Sequence, residues 1–247
     1  MIFSKTYATR ADLDQTLANH AWLDEHAGPL RLASIVRVDV DRIDFAFVEG
    51  RHAVFADTLD VAAVLGRAHA AAWHSDLHRA LLTTTHPLDG AHHMADFVSP
   101  RIAALRRRTE AGLIGEQQVT AAVQALLAAS PAPVAFYKDT NPRNVLITAD
   151  GPVMVDFDDL TLAPFGYDLA KLLVTLAMTH GPLPIEAFTT ALACYNQPLI
   201  DAGLLPVSVD QLLGHADLHH LLTLPYFGQG GYRHPWPSVR PCLEELK

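Results

Sequence analysis

The residues best suited to chemistry lie within residues 135–159, which read AFYKDTNPRNVLITADGPVMVDFDD. Asp139 and Asn144 are separated by four residues in a polar, proline-containing segment that predicts a loop. Two short apolar runs follow, joined by an Asp-Gly pair at residues 150–151, and this pattern predicts a β-hairpin. Asp156 comes directly after the second run. The hairpin should therefore bring Asp139 and Asn144 at its entrance close to Asp156 at its exit.

Two carboxylates and a carboxamide at one end of a hairpin are groups that phosphoryl transfer requires. One carboxylate accepts the proton of the attacking hydroxyl group, and the second, with an amide oxygen, holds the Mg²⁺ ions that neutralise a triphosphate. Asp139 is the candidate base, and Asn144 and Asp156 are the candidate metal ligands. The alternative is a surface hairpin with solvated acids, which does not explain why the polar groups gather where the two strands enter and leave.

The same stretch resembles the motifs of a known family. Residues 137–146, YKDTNPRNVL, resemble the H-G-D-x-x-x-x-N-V-L catalytic loop of the aminoglycoside phosphotransferase and choline kinase-like family. Residues 155–158, VDFD, resemble its I-D-F/W-D metal motif. Residues 166–170, GYDLA, resemble its downstream D-x-x-x-D-L-A element, in which Asp168 would support the catalytic loop.

Two positions in the loop depart from the family pattern. Tyr137 stands where the family usually has His, and Lys138 stands where it has Gly. Because Asp139 is retained, these departures should alter the geometry of the loop more than its chemistry. The resemblance runs from about residue 45 to residue 180 and implies that the protein uses a nucleotide, ATP or GTP, together with Mg²⁺.

An α+β, protein kinase-like fold of two lobes is the architecture that the resemblance implies. The expected small N-terminal lobe is residues 1–50, with a strand at residues 2–8, a helix to about residue 26, and antiparallel strands at residues 32–38 and 43–48. The expected C-terminal lobe is residues 51–247, mainly helical and carrying the catalytic hairpin, residues 134–159.

Lys5 lies in the first expected strand and aligns with the lysine that contacts the α- and β-phosphates in kinases. A solvated lysine on an edge strand is the alternative. Only four residues precede it, no glycine occurs before Gly28, and the middle of the following helix offers no glutamate to pair with it. Either the small lobe is truncated or the nucleotide is held by fewer contacts than usual. Glu49 marks the segment whose backbone would bind the purine.

Three further polar residues are candidates for the site. Asp158 is expected near the metal ions. Asp159 has three possible roles: it contacts the substrate, binds a second cation, or caps the following segment by local hydrogen bonds. His219, on a C-terminal helix, is expected to line the substrate cleft. His215 and His219 also have the i, i+4 spacing of zinc ligands, but no third ligand or H-E-x-x-H glutamate accompanies them, so ordinary satisfied histidines are preferred.

The composition of the chain indicates which kinds of partner and which cellular compartment are expected. A net charge of −9 without a basic stripe argues against nucleic acid and suits a cationic substrate. The two cysteines, Cys194 and Cys242, give no disulfide framework, which fits a reducing compartment. No apolar run has membrane-spanning length and the N-terminus lacks a signal pattern, so a cytoplasmic protein with no membrane contact is expected.

These features predict a nucleotide- and Mg²⁺-dependent O-phosphotransferase. The expected acceptor is a hydroxylated, cationic small molecule of the aminoglycoside or basic peptide antibiotic type, which would make the protein an antibiotic-resistance enzyme. Choline-like and amino-sugar metabolites are further candidates. The alternative is a non-catalytic pseudokinase, a binding module with a degenerate nucleotide site. The missing glycine-rich loop favours that alternative, and the intact set of Asp139, Asn144 and Asp156 opposes it. No oligomeric state is predicted.

Overall fold

The computed structural model describes residues 1–229 and 231–242, in which small sheets alternate with longer helices. The strands are β1 (Ile2–Thr6), β2 (Arg31–Leu32), β3 (Ile35–Val38), β4 (Arg42–Ala46), β5 (Arg51–His52), β6 (His86–Pro87), β7 (His93–Met94), β8 (Val134–Tyr137), β9 (Val145–Thr148), β10 (Gly151–Met154) and β11 (Thr161–Pro164). The helices are α1 (Arg10–His26), α2 (Thr58–Ser75), α3 (Val98–Glu110), α4 (Glu116–Ala129), α5 (Tyr167–His180), α6 (Ile185–Asp201), α7 (Val209–Thr223) and α8 (Trp236–Val239).

The amino-terminal sheet has the strand order β1-β4-β3, with antiparallel neighbours. Lys5 in β1 lies opposite Ile43 in β4. Residues that oppose each other in an antiparallel pair place their side chains on the same face of the sheet. Because the Ile43 side chain is fully buried, this register directs Lys5 toward the interior of the protein. Lys5 is therefore not a solvated lysine on the outer face.

The prediction of one continuous strand at residues 32–38 is wrong. This segment is divided into β2, which pairs in parallel with β10, and β3, which pairs with β4. The chain passes between the two sheets at residues 33–34, where Ala33 N donates to Met154 O (3.2 Å) and Ser34 O accepts from Ala46 N (2.8 Å). The first 50 residues thus contribute one strand to the sheet that holds the hairpin of residues 145–154.

The expected hairpin is confirmed as β9 and β10, which pair antiparallel from Val145 opposite Met154 to Thr148 opposite Gly151. Gly151 has φ 106°, a conformation that favours glycine at the tight turn. With β2 and β5 on its two sides, the hairpin is the centre of a four-stranded sheet of order β2-β10-β9-β5. Neighbouring strands on both sides keep the entrance and exit of the hairpin in register.

The helical region packs in pairs around this sheet, with α2 along α6 and α5 along α7. Helix α5 is buried over nearly its whole length and carries the centre of the core. The mixture of small sheets and long helices confirms the expected α+β class. None of the helices in the described part of the chain is long and apolar enough to span a membrane.

The close approach of α2 and α6 depends on Gly66. A Cβ atom at this position would lie 2.2 Å from the carbonyl oxygen of Tyr195, a backbone atom that cannot rotate away. We expect Gly66→Ala to lower the free energy of unfolding by about 1–3 kcal/mol, the usual cost of overpacking. Gly214→Ala in α7, where the Cβ meets open space, is the matched control and should be neutral or stabilising in denaturant titrations. Equal stabilities of the two variants would contradict the packing argument.

Candidate active site

Asp139 and Asp156 share an unusual backbone conformation, with φ 58° and φ 69°. They are the only non-glycine residues with positive φ among those the structure describes. This region of φ costs an L-residue roughly 1–2 kcal/mol, less for Asp and Asn than for most. Strain of this kind persists where surrounding contacts fix it, and it concentrates at functional sites. The two aspartates singled out by spacing are thus also singled out by conformation.

The Asp139 carboxylate, which follows β8, is held by three neighbouring side chains. Tyr137 Oη donates to Asp139 Oδ1 at 2.9 Å, and Lys171 Nζ lies 3.5 Å from the same oxygen. Asn144 Nδ2 donates to Asp139 Oδ2 at 3.3 Å and to its backbone carbonyl at 3.0 Å. Burial and the nearby Asp139 charge raise the pKa of Tyr137 well above its ordinary value, so its hydroxyl stays protonated and donates. These contacts fix the orientation of the Asp139 carboxylate, a group that can accept a proton.

Asn144 ends a short 3-10 turn, Pro142–Asn144, and ties the loop to the exit of the hairpin. Its carbonyl oxygen accepts a hydrogen bond from Val155 N at 3.0 Å, one residue before Asp156. Because its side-chain nitrogen donates to Asp139, the amide oxygen is the atom suited to a cation. The structure therefore places the Asn144 side chain beside Asp139 and its backbone beside Val155, the residue before Asp156.

Lys5 joins the two acids of the D-F-D segment. Its Nζ lies 2.6 Å from Asp156 Oδ1 and 2.7 Å from Asp158 Oδ2. Burial alone would lower the pKa of Lys5, but the hydrogen bonds and charges of Asp156 and Asp158 outweigh it and raise that pKa. The amine is therefore a fixed positive charge next to the candidate metal ligands, where a phosphate group would need one.

Helix α1 positions the D-F-D segment without the glutamate that kinase helices supply. Thr16 Oγ1 donates to Asp158 Oδ1 at 3.0 Å. Asn19 Nδ2 donates to the carbonyl of Phe157 at 2.8 Å and to that of Asp158 at 3.2 Å. Sequence reasoning noted these residues only as the place where a glutamate was missing. Thr16 and Asn19 are three residues apart and so lie on one face of α1, and this spacing could have marked them in the sequence.

Lys138, at the position where the resemblance expects glycine, braces the same segment from the other side. Its buried Nζ donates to the backbone carbonyls of Val155 and Asp156. Burial lowers the pKa of Lys138 to about 8, against the opposing charges of Asp156 and Asp139. These two hydrogen bonds hold the peptide groups that give Asp156 its positive φ. The departure from the family pattern thus has a structural role.

Asp168 lies behind the catalytic loop, fully buried in the first turn of α5. One carboxylate oxygen accepts from the backbone nitrogen of Thr140 at 3.3 Å and from its hydroxyl, and the other accepts from Lys138 N at 3.2 Å. His69 Nε2 is 3.6 Å from the second oxygen. A carboxylate near a helix N-terminus is also favoured by the helix dipole. The loop around Asp139 is therefore fastened to α5.

A cavity of about 690 Å³ opens on the other side of Asp139, between α3, α5 and α7. Asp159 and His219, both expected at the substrate, lie in its wall together with Asp139. Partial burial and the charges of three neighbouring carboxylates raise the pKa of Asp159. Burial, with the charges of Lys171 and Arg101, lowers the pKa of His219 well below its ordinary value, so this imidazole is neutral.

Basic side chains form much of the cavity wall, and sequence reasoning missed their role. They are Arg101, Arg108, Arg143 and Lys171. Lys171 is a lone lysine in the otherwise apolar body of α5, a pattern that could have marked it.

The guanidinium carbon of Arg101 lies 3.9 Å from the ring centroid of Phe97 and 4.9 Å from that of Tyr167. Each such contact is worth about 0.5–2 kcal/mol. Desolvating an ion costs several kcal/mol, so the rings alone do not offset the burial of Arg101.

The resemblance assigns Glu49 a backbone role, and the sequence disfavours zinc at His215 and His219. Glu49 is exposed on the segment between β4 and β5, and its side chain has no hydrogen-bond partner among the described residues. The rings of His215 and His219 both pack against Tyr167, each with a centroid distance of 5.9 Å. No group of three or more His, Cys, Asp or Glu residues within 1–229 and 231–242 is arranged to hold a metal ion. A zinc site at these histidines is therefore not supported.

Magnesium places lighter demands on the protein than zinc does. Mg²⁺ is usually held by one or two carboxylates, with phosphate oxygens and water completing its shell. The carboxylates of Asp156 and Asp158 meet at Lys5 and fit such an ion, and the amide oxygen of Asn144 is a further oxygen donor in the adjoining loop.

The family model described as "Phosphotransferase enzyme family" matches residues 1–204. Among solved structures, a macrolide 2'-phosphotransferase from Brachybacterium faecium is 14% identical with a TM-score of 0.60, over 98% of this chain and 84% of that chain. An aminoglycoside phosphotransferase from Streptomyces rimosus, solved with ADP and streptomycin, is 15% identical with a TM-score of 0.57, over 90% and 86%. A choline/ethanolamine kinase family protein from Mesorhizobium loti is 17% identical with a TM-score of 0.57, over 95% and 75%.

No curated protein matches the chain in sequence. At these identities the solved structures show a shared fold, and they confirm the kinase-like fold expected from the resemblance.

Proposed function

This chain belongs to the phosphotransferase enzyme family and is a small-molecule phosphotransferase, and on that premise we propose that it transfers the γ-phosphoryl group of ATP, with Mg²⁺, to a hydroxyl group. The observation that supports this most strongly is the position of Asp139 between two unlike regions. On one side lies the cavity, and on the other the cluster of Lys5, Asp156 and Asp158, joined to Asp139 through Asn144. The acceptor would occupy the cavity and the triphosphate the cluster, between lobes of residues 1–50 and 51–247.

The proposed reaction assigns a role to each held side chain. Asp139 accepts the proton of the acceptor hydroxyl. The hydroxyl oxygen of the acceptor bonds to the γ-phosphorus, and the bond between that phosphorus and the bridging oxygen of ADP breaks. The products are a phosphate monoester and ADP. Asn144, Asp156 and Asp158 would hold Mg²⁺, which supplies charge neutralisation on the phosphates. Lys5 binds the phosphates, and Asp168 positions the loop.

The acceptor proposed here is a hydroxylated small molecule. Names of solved relatives include phosphotransferases for macrolides and aminoglycosides and a choline/ethanolamine kinase family protein, which supports this general class. An antibiotic acceptor, and with it a role in resistance, falls within the same proposal. The expectation of a cationic acceptor rests on the family resemblance and on the net charge of −9, which is a property of the whole chain. The cavity wall has a different balance, with four basic side chains against Asp139 and Asp159.

The test is acceptor-dependent production of ADP. The purified protein is incubated with ATP or GTP, with and without Mg²⁺, against a panel of hydroxylated compounds of negative, neutral and positive charge. We expect ADP release that requires both Mg²⁺ and an acceptor, and a product that carries one phosphate ester. If no nucleotide binds in the presence of Mg²⁺, the proposal fails and a non-catalytic binding module takes its place.

Lys5→Ala is expected to weaken binding of Mg²⁺·ATP by about tenfold or more, the scale of a charge-assisted hydrogen bond. Its removal also leaves Asp156 and Asp158 without a neutralising partner facing the triphosphate. We expect the parent itself to bind nucleotide weakly, at roughly 0.1 mM or poorer. Titration calorimetry measures both. Arg37→Ala, at an exposed cation on β3, is the control and should bind as the parent does. Tight ATP binding that Lys5→Ala leaves unaffected would remove Lys5 from the phosphate site.

A further inference from the structure

We propose, resting on the function above, that the acceptor carries an anionic oxygen group, a carboxylate or a phosphate ester, which Arg101 binds with Arg108 and Lys171 in the cavity beside Asp139. The acceptor hydroxyl would face Asp139, and the anion would face the arginines contributed by α3. This assignment differs from the cationic acceptor that the composition of the chain suggested.

Arg101 is the main support for an anion site. The residue is 8% exposed, yet no carboxylate of the described residues lies within ion-pair distance of it. Its Nη1 donates to the carbonyl of Phe97 at 3.0 Å, and its Nε is buried without a partner. A buried guanidinium is normally paired with an acid, because the rings around it recover only part of its lost hydration. An arginine buried, unpaired and lining a cavity is suited to a ligand that brings the negative charge.

Two other cations extend the same wall. Lys171 is 4% exposed, with its Nζ 3.2 Å from Tyr232 Oη and 3.5 Å from Asp139 Oδ1. Arg108 donates through Nη2 to the carbonyl of Leu222 at 2.8 Å, its Nε is buried without a partner, and it too lacks a carboxylate neighbour among described residues. A planar guanidinium suits carboxylate and phosphate oxygens, which can accept two hydrogen bonds at once.

Tyr137 lies between the two ends of the site. Tyr137 donates to Asp139 with its hydroxyl, and its ring centroid lies 5.4 Å from the guanidinium carbon of Arg101. One tyrosine side chain therefore spans the gap between the base and the anion site. The acceptor would place its hydroxyl at the Asp139 side of that ring and its anionic group at the Arg101 side. A cationic group at the same end would meet Arg101 and Arg108 and be repelled.

The experiment compares four three-carbon compounds that all carry hydroxyl groups and differ in charge: glycerate, glycerol phosphate, glycerol and aminopropanediol. Binding is measured by calorimetry on protein saturated with Mg²⁺ and AMP-PNP, so that the anions do not occupy the nucleotide site. We expect both anions to bind at least about tenfold tighter than glycerol or aminopropanediol. Glycerate tighter than glycerol phosphate would identify a carboxylate acceptor, and the reverse order a phosphate ester.

Variants test whether the arginines cause the selectivity. Arg101→Gln and Arg108→Gln should each abolish the preference for the anions, while Arg106→Gln, at an exposed position of the same helix, should retain it. Thermal unfolding checks that each variant folds. If Arg101→Gln does not fold, the test rests on Arg108→Gln. Tightest binding of aminopropanediol, or an anion preference that both substitutions leave intact, would overturn the inference.

Phosphoryl transfer from ATP to the same four compounds separates this inference from the proposed function. Arginine-dependent binding of the anions without transfer to any compound would retain the anion site and reject the function assigned to Asp139. Transfer with a higher kcat/KM for glycerol or aminopropanediol than for the anions would retain the phosphotransferase and reject the anion site.

Discussion

Asp139→Asn is expected to lower kcat by about a hundredfold or more, the usual scale for loss of a general base. Asn has the size of Asp and tolerates positive φ, so the strained loop conformation at φ 58° should persist. Its amide oxygen can still accept the hydrogen bond of Tyr137, but an amide cannot take the proton of the acceptor hydroxyl. Steady-state rates and nucleotide titrations should therefore show slow turnover with nearly normal nucleotide binding.

The control for this variant is Asp150→Asn, an exposed carboxylate in the turn of the same hairpin. It makes the same chemical change away from the cavity and should turn over at the parental rate. An Asp139→Asn variant with near-parental kcat would exclude Asp139 as the base.

The second large effect is expected at Asp156, where Asp156→Asn should abolish the Mg²⁺-dependent part of nucleotide affinity. The charge of the ligand is lost while the positive φ of 69° is retained, since Asn adopts it as readily as Asp. The triphosphate would then face the remaining acids without a well-held cation. A metal contributes several kcal/mol to transition states of this kind, so kcat/KM should fall by about a hundredfold or more.

Calorimetry with and without Mg²⁺ isolates this effect from general loss of binding. Asp24→Asn, an exposed carboxylate near the end of α1, is the control and should respond to Mg²⁺ as the parent does. The assignment of Asp156 fails if its Asn variant gains as much nucleotide affinity from Mg²⁺ as the parent gains.

Local patterns were sufficient to predict the hairpin and the boundaries of the first helix. The hairpin depends on an Asp-Gly turn between two apolar runs, and α1 begins where Thr9 accepts a hydrogen bond from Asp12 N at 3.1 Å. Both signals lie within a few residues of the structure that they specify. The division of residues 31–38 into β2 and β3 could not be predicted this way, because the partners that divide them lie in β10 and β4.

The backbone conformation of Asp139 and Asp156 could be seen only in the tertiary structure. Spacing and resemblance selected Asp139 and Asp156, but their positive φ is held by contacts with other residues, of which Lys138 lies far from Asp156, and Asp168 far from Asp139, in the chain. Lys138 reaches the carbonyl of Asp156, and Asn144 reaches that of Asp139. Asp168 fastens the same loop from α5. The aspartates themselves carry no local sign of this strain, since Asp is also common in ordinary turns.

The amino-acid sequence by itself determined the family, the α+β class and the aspartates at the two ends of the hairpin, because motifs and periodicity are local properties of a chain. The tertiary structure decided which way Lys5 points and which charges line the cavity beside Asp139. Arg101 and Lys171 are 70 residues apart and meet at one cavity only when α3 packs near α5. Net charge sums over the whole chain, whereas a ligand responds to the few side chains within a Debye length or less of it. An acidic protein can therefore present a basic cavity.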